Sequence, residues 1–147
     1  MDTPNPAIPA GFEPIFRTSP FIDLVGPVYS KRDGKKIVVA LLVSEKHCNA
    51  RGSAHGGLFM TLLDIALGYN ASYANDPPAR LTTVSVTTDF AGSAQIGDWI
   101  EIHVDVQRVG GKLAFANAYV HAGAQRIVRA SAVFSRTLED VPPLPQA

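Results

Sequence analysis

At 147 residues the chain has the length of one domain, large enough to enclose a single core. Hydrophobic residues make up 46% and charged residues 18%, an ordinary globular balance, and 13 basic side chains cancel 13 acidic ones, which excludes the cationic footprint of a nucleic-acid or anionic-membrane binder. The single cysteine, Cys48, excludes an internal disulfide and fits a reducing compartment.

Residues 1–20 hold Pro4, Pro6, Pro9, Pro14 and Pro20, so they read as an extended or irregular arm. The first residues lack the basic and apolar segments of a signal peptide, and the longest aliphatic run, Ile37 to Val43, is too short to span a bilayer. A soluble cytoplasmic protein is expected. Phe21 to Val25 reads as a short helical turn stopped by Gly26-Pro27. A strand from Val28 turns through Lys31 to Lys35, where Asp33-Gly34 is a hairpin signal. Lys36 to Ser44 returns as a strand whose continuous aliphatic run predicts burial on both faces.

The loop 45–55 leads into a helix over about 56–74, ended by Asn75-Asp76-Pro77-Pro78. Strands follow over Leu81 to Phe90, Trp99 to Val109, Lys112 to His121 and Arg126 to Thr137. In the second of these, Ile100, Ile102, Val104 and Val106 alternate with Glu101, His103, Asp105 and Gln107. Gly110-Gly111 marks a tight turn. The order β-β-α-β-β-β-β is that of an α+β fold, one long helix against an antiparallel sheet of about six strands. The expected domain is 21–138, between the arm and a second Pro-rich tail over 139–147.

The helix carries the chemistry. Between Leu58 and Tyr69 its only hydrogen-bonding side chains are Thr61, Asp64 and the terminal Tyr. A helix apolar on nearly all sides needs a sheet wrapped around it, or a partner subunit. A carboxylate inside such a helix is costly unless paired or employed. Gly57, Thr61, Asp64 and Gly68 share one face, a stripe of small and polar residues. The stripe leaves room for a ligand or for close backbone packing. Asp64 is either a satisfied carboxylate or a base or nucleophile. At the helix start, Gly56 and Gly57 leave the first amide donors open to a carbonyl oxygen, as an oxyanion-type site or simply as a sharp helix start. Gly56 and Asp64 stand eight residues apart, about 12 Å at 1.5 Å per residue. That is too far for one helix to bring both to one reacting group. Two antiparallel copies across a two-fold axis would do so, and a homodimer with two shared sites is expected.

Arg108 breaks the apolar parity of its strand. With Gly110, Gly111 and Lys112 it makes a cationic hairpin, either an ordinary charged turn or a phosphate clamp. His55 is a capping residue or an acid–base group; His103 reads as solvated, His121 carries no specific signal, and His47-Cys48 point apart on an extended chain. No cluster has metal-ligand spacing and no Gly-rich loop has the context of a nucleotide fingerprint.

Asn49-x-x-Gly52-x-x-His55-Gly56-Gly57 followed by Asp64-x-Ala66 resembles the signature of hotdog-fold acyl-CoA thioesterases of the phenylacetate-degradation type. Phe90 to Asp98 resembles the loop and Gly-Asp turn after that family's third strand, and Arg108 to Phe115 its basic Gly hairpin. The resemblance covers about 25–137. It implies a hotdog fold, a dimer with a continuous sheet, and pairing of dimers into a homotetramer. It implies hydrolysis of an acyl-CoA thioester with no cofactor or metal, coenzyme A being part of the substrate. Asp64 would be base or nucleophile, Gly56 would polarise the thioester carbonyl, and Asn49 would hold the water or acyl group. His55 would support the surroundings and Thr83 would assist water positioning. Gly57, Phe90, Ala91, Gly92, Ser93, Ala94 and Gln95, with Arg108, Val109, Gly110, Gly111, Lys112 and Leu113, would line the coenzyme A channel. Gly92-Ser93 stands where many relatives have Arg-Pro or Ser-Pro. Two other readings are a hotdog hydratase or dehydratase, in which a His would be the base, and a non-catalytic acyl-CoA-binding sensor; Asp64 with Asn49 and Gly56 argues against the first, and the presence of the acid against the second.

Overall fold

In a computed structural model, which describes residues 7–146, seven antiparallel strands form one sheet across a long helix. The elements are β1 (Glu13–Pro14), α1 (Pro20–Val25), β2 (Tyr29–Asp33), β3 (Lys36–Leu42), α2 (Gly56–Tyr73), β4 (Arg80–Phe90), β5 (Trp99–Val109), β6 (Leu113–Ala122) and β7 (Gln125–Thr137), with a 3-10 turn at Glu45–His47. Sheet order is β1-β2-β3-β5-β6-β7-β4. This is the α+β hotdog architecture, with one strand more than the six expected. The extra strand comes from the Pro-rich arm, where Glu13 pairs with Ser30 and Pro14 with Tyr29. A proline lacks the ladder donor, and an edge is the place in a sheet that tolerates it. Pro4 and Pro6 of the expected arm lie outside the described residues.

α2 holds three glycines, so packing of its apolar sides and not intrinsic propensity sustains it. It is bounded by His55 as N-cap, whose Nδ1 accepts from the Gly57 amide, and by Asp76-Pro77-Pro78. Leu58, Phe59, Leu62, Leu63, Ala66, Leu67 and Ala71 are buried against the concave face of the sheet. They meet Val39 and Leu41 of β3, Ile100 and Ile102 of β5, and Ala116, Val120 and Phe134 of β6 and β7 in one core. β3 is buried on both faces from Ile37 to Leu41, as its aliphatic run requires. The small residues Ala114, Ala116 and Ala118 let β6 approach the helix closely.

One buried polar residue ties helix to sheet. Pairing of β3 with β5 stops at Val39 opposite Ile102, so Ile37 is left without a β5 partner. Asn70 of α2 takes that place: its Oδ1 accepts from the Ile37 amide at 2.9 Å, and its Nδ2 donates to the Ile37 carbonyl at 2.8 Å and to the Ala66 carbonyl at 2.8 Å. A second clamp reverses the chain after α2, where Ser72 Oγ donates to the Ala79 carbonyl and the Ala79 amide donates back to Ser72.

Three bulges set which side chains face the helix. At Val84 the β4–β7 register shifts, so that Thr83 before it and Phe90 after it both reach α2. At Gln107 the β5–β6 register shifts and turns Arg108 to the solvent side, which is the physical reason it breaks the parity of its strand. At Ile127 the β6–β7 register shifts and leaves Ile127 and Val128 both buried.

Asn70→Leu strands the Ile37 amide and carbonyl at the core, and about 2–4 kcal/mol of stability is expected to be lost. Urea unfolding read by circular dichroism checks this; a midpoint within error of wild type contradicts the clamp.

Candidate active site

The stripe Gly57, Thr61, Asp64 and Gly68 lies, with Met60, Ile65 and Tyr69, on the side of α2 that the sheet leaves partly uncovered, and two clefts open along it. One, of about 370 Å³, holds His55, Gly57 and Thr61 between α2 and Phe21 and Leu24 of α1. The other, of about 490 Å³, holds Asp64, Gly68 and Tyr69 against Thr83 and Leu81 of β4. Thus the helix start and the carboxylate belong to separate clefts of one chain. The small residues serve both purposes: Gly57 borders the first cleft, and Gly68, which borders the second, also lets the Phe134 ring of β7 come close, 3.6 Å from where a Cβ would stand.

Asp64 is half-buried, and Thr83 Oγ1 donates to its Oδ1 at 2.7 Å. That bond fixes the carboxyl rotamer while Oδ2 makes no hydrogen bond to another described residue. Thr61 Oγ1 is turned back to the Gly57 carbonyl at 3.0 Å and leaves the cleft to Asp64.

At the helix start the geometry is tight. A Cβ on Gly57 would meet His55 Nδ1 at 3.0 Å, so the capping bond requires glycine there. A Cβ on Gly56 would meet the Phe90 ring at 3.4 Å, so Phe90 forms a wall over the helix start. The Gly57 amide is spent on the His55 cap, whereas the Gly56 amide donates to no other described residue. His55 therefore acts within this chain as a cap. Asn49 Oδ1 accepts from the Arg51 and Ser53 amides at 2.9 and 3.3 Å, which shapes the loop before the helix and leaves its Nδ2 donors uncommitted among the described residues.

The remaining expected residues fall into two groups. Phe90, Ala91 and Gly92 close β4: the amides of Ala91 and Gly92 both donate to the Ile127 carbonyl at 2.9 Å. A Cβ on Gly92 would meet Ile127 Cγ2 at 3.0 Å, which explains the glycine at this position. Ser93 and Gln95 are exposed, but Ala94 is fully buried and its carbonyl accepts from Ala54, so its methyl packs in the core instead of lining a channel. Arg108, Val109, Gly110, Gly111, Lys112 and Leu113 form the β5–β6 hairpin, closed by the Gly110 amide on the Leu113 carbonyl at 2.8 Å. Arg108 and Lys112 are exposed, and neither lies within 4.0 Å of a carboxylate among the described residues. The hairpin does not line either cleft along α2 in one chain.

Sequence reasoning passed over His47. It is buried, with Nδ1 bonded to Ser44 and Nε2 to the Val25 carbonyl, while its own carbonyl accepts from the His55 amide at 2.8 Å. It holds α1 and the cap residue in register and is a positioning group for the helix start. His103 is not simply solvated: its Nε2 lies 3.0 Å from Glu101 Oε1 and its ring is 4.8 Å from that of His121 on the convex face of the sheet. Among the described residues no three His, Cys, Asp or Glu side chains converge as a metal-ligand set, and no helix is long and apolar enough to cross a membrane.

Comparison with known proteins gives a consistent result. The Thioesterase superfamily profile matches residues 51–129, which span the helix start, Asp64, Thr83 and the hairpin. A Pseudomonas aeruginosa protein, PA0474, whose name proposes an esterase, is 46% identical over 128 residues, covering 86% of this chain and 96% of its own. Mouse acyl-coenzyme A thioesterase 13 is 31% identical over 83 residues, 56% of this chain and 59% of that protein. The solved structure of a mutant of the phenylacetic acid degradation protein PaaI from Thermus thermophilus shares the fold, with a TM-score of 0.72 at 19% identity over 81% of this chain and 100% of that one.

The His103–His121 pair gives the fold a pH dependence. Burial, then the neighbouring His103 and Arg126, hold the His121 imidazole below its ordinary value, against a smaller opposing pull from Glu101. Its unfolded counterpart then binds protons at higher pH than the folded form, so stability is full above about pH 6.5 and declines as pH falls. Replacing His121→Gln should flatten the fall in melting temperature between about pH 7 and pH 5; an unchanged slope contradicts the assignment.

Proposed function

The chain belongs to the thioesterase superfamily, and we propose that it hydrolyses an acyl-coenzyme A thioester to a carboxylic acid and free coenzyme A. The observation that carries this reading is Asp64, a half-buried carboxylate held by Thr83 at 2.7 Å in an open cleft of a helix that is otherwise apolar. The mouse relative's name supplies the acyl-coenzyme A class.

In the reaction, water adds to the thioester carbonyl carbon, the C–S bond breaks, and the proton released by water ends on the departing thiolate. Asp64 takes the water proton as general base, or its free Oδ2 attacks first and forms an anhydride that water then cleaves. The oxyanion that develops needs a donor fixed in advance, and the uncommitted Gly56 amide at the positive end of α2 is suited to that role. Asn49 Nδ2 would hold the water or the acyl oxygen. Thr83 orients Asp64, and His55 holds the helix start by capping it. The Phe90–Gln95 segment and the Arg108–Leu113 hairpin would flank the coenzyme A moiety, with Arg108 and Lys112 toward its phosphates.

A homodimer follows from the same geometry. Gly56 and Asp64 lie about 12 Å apart along one helix axis, and the helix-start residues His55 and Gly57 line a different cleft from Asp64. β4 ends the sheet as an eleven-residue, largely exposed strand able to continue into a second copy. Antiparallel pairing across that edge would bring the helix start of one copy to Asp64 of the other. Further pairing of dimers into a tetramer, and the cytoplasmic setting suggested by the lone Cys48, belong to the same reading.

Thiol release from a panel of short, medium, aromatic and long acyl-coenzyme A substrates tests it. Asp64→Ala and Asp64→Asn should lower kcat by about 10²–10⁴, and Thr83→Val by a smaller factor. Equal turnover by wild type and both Asp64 variants would sink the assignment, and binding without turnover across the panel would favour a sensor.

A further inference from the structure

The arm that precedes the family match has its own part in the Asp64 cleft. Arg17, Ser19 and Ile22 line it from the N-terminal side, facing Asp64, Gly68 and Tyr69 of α2. The Arg17 guanidinium lies 5.8 Å from the Tyr69 ring centroid and 6.0 Å from that of Phe16, and its Nη2 donates to Tyr73 Oη at 3.0 Å. Tyr73 Oη in turn donates to the Pro142 carbonyl at 2.9 Å. Arg17 is therefore packed in place between arm, helix and tail.

It is nevertheless short of partners. A guanidinium has five donors, and one is used among the described residues. Among the described residues no carboxylate lies within 4.0 Å of it, although the other cleft arginine, Arg80, is 3.5 Å from Glu139. The hydroxyl of Tyr69, whose ring neighbours the guanidinium, also makes no hydrogen bond to another described residue, and burial raises its pKa above the ordinary value against a smaller opposing pull from Arg17. A cation and a phenol side chain thus line one cleft as neighbours. A plain alkyl tail filling that space would desolvate the cation with nothing in exchange. A carboxylate would take two parallel bonds from Arg17 and one from Tyr69.

Resting on the thioesterase reading, we propose that the acyl group carries a carboxylate at its far end, received by Arg17 and Tyr69, so that the substrates are thioesters of dicarboxylic acids. Tyr69 follows Asp64 by five residues, about 7.5 Å along the axis. That distance suits a short chain or a single ring between the thioester carbonyl and the terminal carboxylate. Arg17 is a specificity residue; it takes no part in bond making.

The test is equilibrium binding by calorimetry of two non-hydrolysable thioethers, S-pentyl-coenzyme A and its omega-carboxyl counterpart. Wild type should bind the carboxyl-ended analogue about tenfold or more tightly. Arg17→Gln should bring the ratio of the two affinities near one, Arg17→Lys should restore part of it, and Tyr69→Phe should reduce it less than Arg17→Gln. Thermal melts of each variant check folding, and if Arg17→Gln does not fold, the ratio in Arg17→Lys and Tyr69→Phe decides. No preference in wild type, a preference untouched by these substitutions, or no binding of either analogue overturns the proposal. Turnover of the matching thioesters is read separately: carboxyl preference without turnover sinks the hydrolase reading alone, and turnover without carboxyl preference sinks this one alone.

Discussion

Burial of an eighteen-residue helix that has no continuous polar face is the constraint on which the rest of this structure depends. The sheet answers it by curving around α2, with β3, β5, β6 and β7 supplying Val39, Leu41, Ile100, Ile102, Val120 and Phe134 to its surface. Where β3 and β5 separate, the helix itself completes the strand ladder through Asn70, so that no backbone group of Ile37 is left unpaired. Burial holds the helix, and the Asn70 amide sets its position along β3.

The same constraint locates the candidate site. A wrapped helix has one stripe left, and its small residues let substrate-sized clefts open on both sides of Thr61. The bulge at Val84 then places Thr83 on Asp64 and Phe90 on the helix start from a single strand. Rigid elements hold both the carboxylate and the amide donors, which is what preorganised catalysis requires. The arm adds a third element, a guanidinium that lines the carboxylate's cleft and is held by Tyr73.

Much of this was legible in the residues. The long apolar run, the Gly-Gly start and the Asp76-Pro77-Pro78 stop defined α2 to within a residue, and alternation from Ile100 to Gln107 defined β5. The Asn49-to-Asp64 spacing pointed to the family that the sequence profile supports. What was hidden depends on tertiary placement. Pro14 argues against a strand unless the strand is an edge. The parity break at Arg108 has its cause in a bulge, which periodicity does not reveal. Asn70 and His47 look like ordinary polar residues, and only the structure puts them at orphaned backbone groups. Arg17 lies in a segment that composition marks as an irregular arm, with nothing local to tie it to a residue 47 positions later.

The central claim is that one helix supplies two halves of two different sites. Mixing Asn49→Ala and Asp64→Ala proteins under conditions of subunit exchange, with exchange followed by mass spectrometry, tests it most directly. Each parent should be nearly inactive, and the mixture should recover activity, because the hybrid dimer contains one site with both wild-type residues. A mixture that stays as inactive as its parents after complete exchange would contradict a site shared between copies.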